Sequence, residues 1–146
     1  MRPKKVILCV DADEQALSCR VFLLQTWGFE VKRAMGFEGA MEILRACEPN
    51  VIDVLIVESP MVMGEEFMPA VQKMHPLMRT IITSRASADY DPASRADAYM
   101  PKDACSPADL VQRVRILSQR KRGPHKATQS ALYQRREAMA AMRVSA

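Results

Sequence analysis

Short apolar runs alternate with amphipathic stretches along most of this chain. Val6-Ile7-Leu8-Cys9-Val10 carries no charge and stops at Asp11-Ala12-Asp13-Glu14, the mark of a strand buried on both faces. Leu17, Val21 and Leu24 then recur at helical spacing up to Trp27, and Gly28 follows where a left-handed C-terminal cap belongs. Phe29 to Arg33 predicts a second strand, Phe37, Ala40, Met41 and Leu44 a second amphipathic helix, and Val51 to Val57 a third strand. The alternation continues with a helix from Glu65 to Met74, stopped at His75-Pro76, and a strand from Thr80 to Thr83. A weak helical segment around Ala88 to Arg95 is interrupted by Pro92, and a short strand follows at Ala98 to Met100. The next helix has the clearest start: Ser106 as cap, Pro107 in the first turn, Asp109 closing a capping box, and Leu110, Val111, Val114 and Leu117 as its buried stripe. Parallel strands need long right-handed crossovers, so this order predicts an α/β fold, a doubly wound five-stranded parallel sheet with helices on both faces.

Gly123-Pro124 breaks that last helix, and Thr128 to Val144 reads as helical again, which divides the chain into a domain over residues 1–122 and a helical C-terminal extension over 123–146. Charge supports the division. The 146 residues carry a net +4, but from residue 120 onward seven basic side chains face Glu137 alone, a charge of +6 that leaves −2 for residues 1–119. A basic extension can meet nucleic acid or an acidic protein, or simply be a solvated helix end. It is about one helix long and lacks the further helices of a helix-turn-helix, which argues against sequence-specific DNA binding. Leu132, Met139 and Met142 along one side of it could pack on a second copy of the chain, giving a homodimer, or back on the domain.

No apolar run approaches the ~18 to 20 residues of a spanning helix, so a membrane span is excluded. Met-Arg-Pro-Lys-Lys leads straight into a strand-like run, which argues against a secretory leader. Cys9, Cys19, Cys47 and Cys105 lie far apart in apolar or helical contexts, read as reduced, buried thiols of a cytoplasmic protein. Neither His75 nor His125 has a partner in register for a metal. Met35, Met41, Met68, Met74, Met78 and Met100 read as core fillers, whereas Met61 and Met63 fall in the loop beside Glu58.

In an open α/β sheet, ligands bind beyond the carboxyl ends of the strands. The polar residues there are few: Asp11 and Asp13 after the first strand, Glu58 after the third, Ser84 after the fourth and Lys102 after the fifth. Carboxylates, a hydroxyl and an ammonium meeting at one edge form a pocket suited to a hard cation or a phosphoryl group.

Over residues 4–120 the chain resembles the receiver domain of two-component response regulators. The resemblance rests on Asp11-Ala12-Asp13-Glu14, Gly28-Phe29-Glu30-Val31, Asp53-Val54-Leu55-Ile56-Val57 ending at Glu58, then Met61, Gly64, Ser84-Arg85 and Tyr99-Met100-Pro101-Lys102. It implies the flavodoxin-like receiver fold and a signalling role exercised on a protein partner, a histidine kinase or a downstream effector. In the family an Asp ending the third strand is phosphorylated, with magnesium held by that Asp and an acidic pair after the first strand. A Lys after the fifth strand, a hydroxyl after the fourth and an aromatic three residues before the Lys relay the switch.

Asp11, Ser84, Tyr99 and Lys102 match that pattern, but Ala12 stands where the second acid belongs and Glu58 where the phospho-acceptor belongs. A methyl at position 12 removes a direct oxygen ligand, so magnesium binding is expected to be impaired, with Asp11 and Asp13 as the remaining weak candidates. The extra methylene of Glu58 displaces its carboxylate by ~1.5 Å, large against the ~3 to 3.5 Å of a near-attack geometry. Glu58 could reach toward Lys102 and supply part of an aspartyl phosphate's charge, or the two could simply neutralise each other; both readings stand. Pro101 precedes Lys102 and Asp103 follows it, whereas receivers place Pro after the Lys. Arg85 takes the place of a small residue and adds a cation at the pocket mouth, or is a solvated surface charge. Tyr99 marks the expected partner face, built from the segment around Ala88, the strand of Tyr99 and the helix after Ser106.

The reading is a degenerate, stand-alone receiver, a binding module and not an enzyme, with no cofactor and no standard phosphorylation cycle. Its competitors are a phosphorylatable receiver with an unusual acceptor and a regulator that contacts nucleic acid through its basic tail.

Overall fold

The computed structural model describes residues 4–58, 67–84, 96–101 and 105–119. Within them, five strands, β1 (Val6–Val10), β2 (Glu30–Ala34), β3 (Val54–Glu58), β4 (Arg79–Ser84) and β5 (Ala98–Pro101), form one parallel sheet in the order β2-β1-β3-β4-β5. Four helices accompany them: α1 (Glu14–Thr26), α2 (Phe37–Ala46), α3 (Phe67–Met74) and α4 (Pro107–Gln119). The chain reverses its direction of winding at β1 and β3, the switch point where a doubly wound sheet opens a crevice.

Alternation along each strand divides the core in two. Ile7, Cys9, Val54, Ile56 and Ile81 pack under α1 and α4, which contribute Leu17, Val21, Leu24, Val111, Val114 and Leu117. Leu8, Val10, Leu55, Val57 and Ile82 pack under α2 and α3 with Ala40, Met41, Leu44 and Val71. The helices therefore lie on both faces, as the run of apolar strands requires. The weak helical segment around Ala88 to Arg95 and the tail from residue 120 lie outside the described residues.

Local signals explain the helix ends. The Asp13 carboxylate accepts from the backbone N–H of Gln15 at 3.0 Å and of Ala16 at 3.4 Å, capping α1. Gly28, at φ +93°, supplies the left-handed residue just past its end. At α4 the capping box forms both ways: Ser106 N–H donates to Asp109 Oδ2 at 2.8 Å, and Asp109 N–H donates to Ser106 Oγ at 3.2 Å. Further along, the Arg115 guanidinium lies 5.9 Å over the Trp27 ring, tying α4 to the end of α1.

Four expectations need correction. β3 begins at Val54 and not at Val51, because a turn from Glu48 to Val51, with Asn50 at φ 75°, takes up the preceding residues. Cys19 is exposed, being two positions from both Leu17 and Val21 and so off the inward stripe of α1; of the four free thiols only Cys9 is fully buried. Met35 is exposed because Ala34 takes the inward position at the end of β2. Phe37, in the first turn of α2, is half exposed and covers one side only, its ring centroid 5.4 Å from that of Phe67. His75, buried after α3, donates from Nε2 to the Leu44 carbonyl of α2 at 2.7 Å and so ties the two helices together.

Candidate functional site

The register of the sheet brings the predicted polar residues to one edge. Val10 pairs with Ala34 and with Val57, so Asp11, one residue beyond β1, stands beside Glu58 at the end of β3. Glu58 pairs with Thr83, and Thr83 with Met100. Alternation sets Asp11, Glu58 and Thr83 on the α1–α4 face, while Ser84 and Tyr99 belong to the α2–α3 face.

Asp11 is fully buried, and both of its carboxylate oxygens are engaged. Oδ1 accepts from the backbone N–H of Asp13 at 2.9 Å. Oδ2 accepts from Nη1 of Arg20 at 3.2 Å, an ion pair in which the Arg20 side chain is only 9% exposed. Ala12 is exposed and brings no oxygen. The Asp13 carboxylate is occupied with the first turn of α1. Glu58 closes β3 and is 4% exposed, so its carboxylate is buried at the edge.

A magnesium ion demands near-octahedral oxygen donors at ~2.0 to 2.1 Å. Against that need the edge offers, among the described residues, the Asp11 carboxylate, already held by a guanidinium and a backbone N–H, and the buried Glu58 carboxylate beside it. Among the described residues no three His, Cys, Asp or Glu side chains gather as ligands. As placed, the donor set does not fit a magnesium ion.

The α2–α3 side of the edge is built differently. Ser84, the last residue of β4, is fully buried, and its hydroxyl is hydrogen-bonded to the Tyr99 hydroxyl. Tyr99, on β5, is half-buried, with its ring against the α2–α3 core and its polar end turned inward to Ser84. On the opposite face, the Thr83 hydroxyl is buried with no hydrogen-bond partner among the described residues, an exception to the rule that such groups are paired. Lys102 and Arg85 lie outside the described residues; β5 ends at Pro101, directly before Lys102.

Two features were not foreseen. Arg20 had a signal in the sequence, a lone charge between Leu17 and Leu24 inside the apolar stripe of α1. Its charge reaches under the sheet: burial pushes the Cys9 thiol up to about 12, and Arg20 opposes that rise. The second is an apolar groove of about 530 Å³ between α1 and α4, with Leu23, Met100 and Leu110 in its walls and Arg20 at its side. Exposed Phe22 and Trp27 on α1 and Ile116 on α4 extend the apolar surface on this side.

No family model and no curated protein matches the sequence. Solved structures do. The chain superposes on a putative response regulator from Chloroflexus aurantiacus with a TM-score of 0.69 at 23% identity, covering 81% of this chain and 100% of that one. A CheY-like receiver domain protein from Methanospirillum hungatei gives 0.68 at 22% identity, over 80% and 95% of the two chains. A receiver domain protein from Clostridium thermocellum gives 0.68 at 25% identity, over 79% and 94%.

The chain has the receiver fold. About four-fifths of this chain spans 95% of one of these receiver chains and 100% of another. No helix of the described residues is long and apolar enough to cross a membrane.

Proposed function

We propose that this chain is a signalling module of the response-regulator type that acts by binding a protein partner and does not run the aspartyl-phosphate cycle. The observation that carries the reading is the acceptor position: a carboxylate one methylene too long, 4% exposed, beside a turn with Ala12 in place of a second acid. Phosphoryl transfer relies on positioning and on charge neutralisation by a metal, and both are weakened at this edge. Magnesium has no part in the proposed role of this chain, and the module is a binding protein and not an enzyme.

The relay side supports a partner-binding role. Ser84 and Tyr99 are joined, so the tyrosine is held inward without a phosphoryl group to draw the serine toward the pocket. Glu58 contributes one permanent charge where a phosphorylatable receiver contributes a removable one of nearly two. The surface around Tyr99 on β5, and the outer side of α4, is where a kinase or an effector would read that fixed state.

The test is an amide spectrum of the full chain with magnesium and beryllofluoride, which imitates the acyl phosphate without chemistry. The expected result is no saturable shift at residues 11–13, Glu58, Ser84 or Tyr99. A saturable shift of those residues, dependent on both reagents, would overturn the proposal in favour of a phosphorylatable receiver with an unusual acceptor.

A further inference from the structure

Arg20 occupies a position on α1 that should be apolar. It lies three residues after Leu17 and four before Leu24, both buried against the sheet, and its own side chain is 9% exposed. A guanidinium in such a place is costly unless it is paired. The pair is Asp11, fully buried, at 3.2 Å from Nη1 to Oδ2. The remaining Asp11 oxygen receives the Asp13 N–H, and the Asp13 carboxylate in turn receives the N–H groups of Gln15 and Ala16. The nearby cation Arg33 is directed elsewhere, its Nη2 donating to Ser18 Oγ at 3.0 Å. Arg20 therefore stands on the carboxylate from which a divalent ion would draw its oxygen.

We propose that Arg20 is a resident cation, a guanidinium that neutralises Asp11 in place of a divalent metal and excludes the metal from the edge. The proposal rests on the reading of this edge as one that runs no phosphorylation cycle, and extends it with a named residue. A tethered guanidinium differs from an ion in three ways that matter here. It is present at every metal concentration, a chelator cannot remove it, and it has no open coordination position with which to collect phosphoryl oxygens. Its five N–H donors neutralise a carboxylate by hydrogen bonds in a fixed plane, which holds the turn at residues 11–13 in one arrangement.

The experiment restores the missing oxygen and removes the guanidinium separately. Manganese, a paramagnetic probe of magnesium sites, is titrated into the full chain, into Ala12→Asp, into Arg20→Met and into the double variant, and free manganese is read by electron paramagnetic resonance. Methionine keeps much of the length of the arginine stem without its charge. The expected result is that Ala12→Asp alone binds no better than the parent, and that the double variant binds roughly tenfold or more tighter than Ala12→Asp. Equal affinity of Ala12→Asp and the double variant overturns the proposal. Should the double variant fail to fold, the parent decides alone: millimolar magnesium is expected to leave the amides of residues 11–13 unmoved, and saturable shifts there overturn the proposal. Metal binding by the parent without phosphoryl uptake would remove the role of Arg20 and leave the binding-module reading. Phosphoryl uptake by the parent would remove that reading, whatever Arg20 does.

Discussion

On the β1–β3 side of the sheet edge the charged groups are satisfied internally: Asp11 by Arg20 and the Asp13 backbone, Asp13 by the first turn of α1. On the β4–β5 side the groups are neutral hydroxyls, Ser84 joined to Tyr99, with Tyr99 half-buried and open to a partner on one side. The first region holds a buried ion pair, and the second is a contact between strand and surface. In a phosphorylatable receiver the first would drive the second through a metal and a phosphoryl group. Here each is stabilised by its own bonds, on opposite faces of one sheet. Under the proposed function, reception and display are separable properties of the fold.

The comparison breaks most visibly at Arg20. Arg20→Ala leaves the Asp11 carboxylate buried without its cation, and the expected loss is about 3 kcal/mol in urea unfolding. A loss near zero would mean that water reaches the pair as at an ordinary surface. Next in size is the alkaline limb of stability. The Cys9 thiol, beneath the Asp11 side, is raised to about 12 by burial, whereas its ordinary value is 9.0. Below 9.0 both folded and unfolded chains keep the proton and the contribution is intact; between 9.0 and about 12 only the unfolded chain releases it, so stability falls as pH rises. The slope reaches up to about 1.4 kcal/mol per pH unit and should be smaller by that amount in Cys9→Ala.

Tyr99→Phe removes one partner of a buried hydroxyl pair, and about 1 kcal/mol is the expected cost, measured by the same unfolding. The smallest effect is the most discriminating. If the two regions are independent, the losses in Arg20→Ala and Tyr99→Phe add within about 0.5 kcal/mol in the double variant. A coupling well above that would show that charge at Asp11 still reaches the tyrosine.

β1 and β3 were legible because each is an apolar run that ends at a charge, and α1 and α4 because each carries its own punctuation. Gly28 after α1 and the Ser106–Asp109 box before α4 are local signals, and the structure uses both. Alternation and register then bring Asp11, Glu58 and Ser84 to one edge, as their place after the strands implied. What escaped the sequence depends on side-chain reach and on exposure. Cys19, Met35 and Phe37 are apolar types at positions that face outward, which composition cannot distinguish from core. Asp13 reads from the sequence as a weak metal candidate, and only the built turn shows its carboxylate capping α1. Arg20 lies nine residues from Asp11 in sequence, and only the fold of β1 onto α1 shows that its stem is long enough to close the pair.

The central claim is that position 58 does not accept a phosphoryl group. The most direct measurement is the intact mass of the full chain after incubation with acetyl phosphate and magnesium, recorded before the acyl phosphate, labile in both acid and alkali, can hydrolyse. The account predicts the unmodified mass alone. A magnesium-dependent gain of one phosphoryl group, mapped to Glu58 and absent from Glu58→Gln, would contradict it.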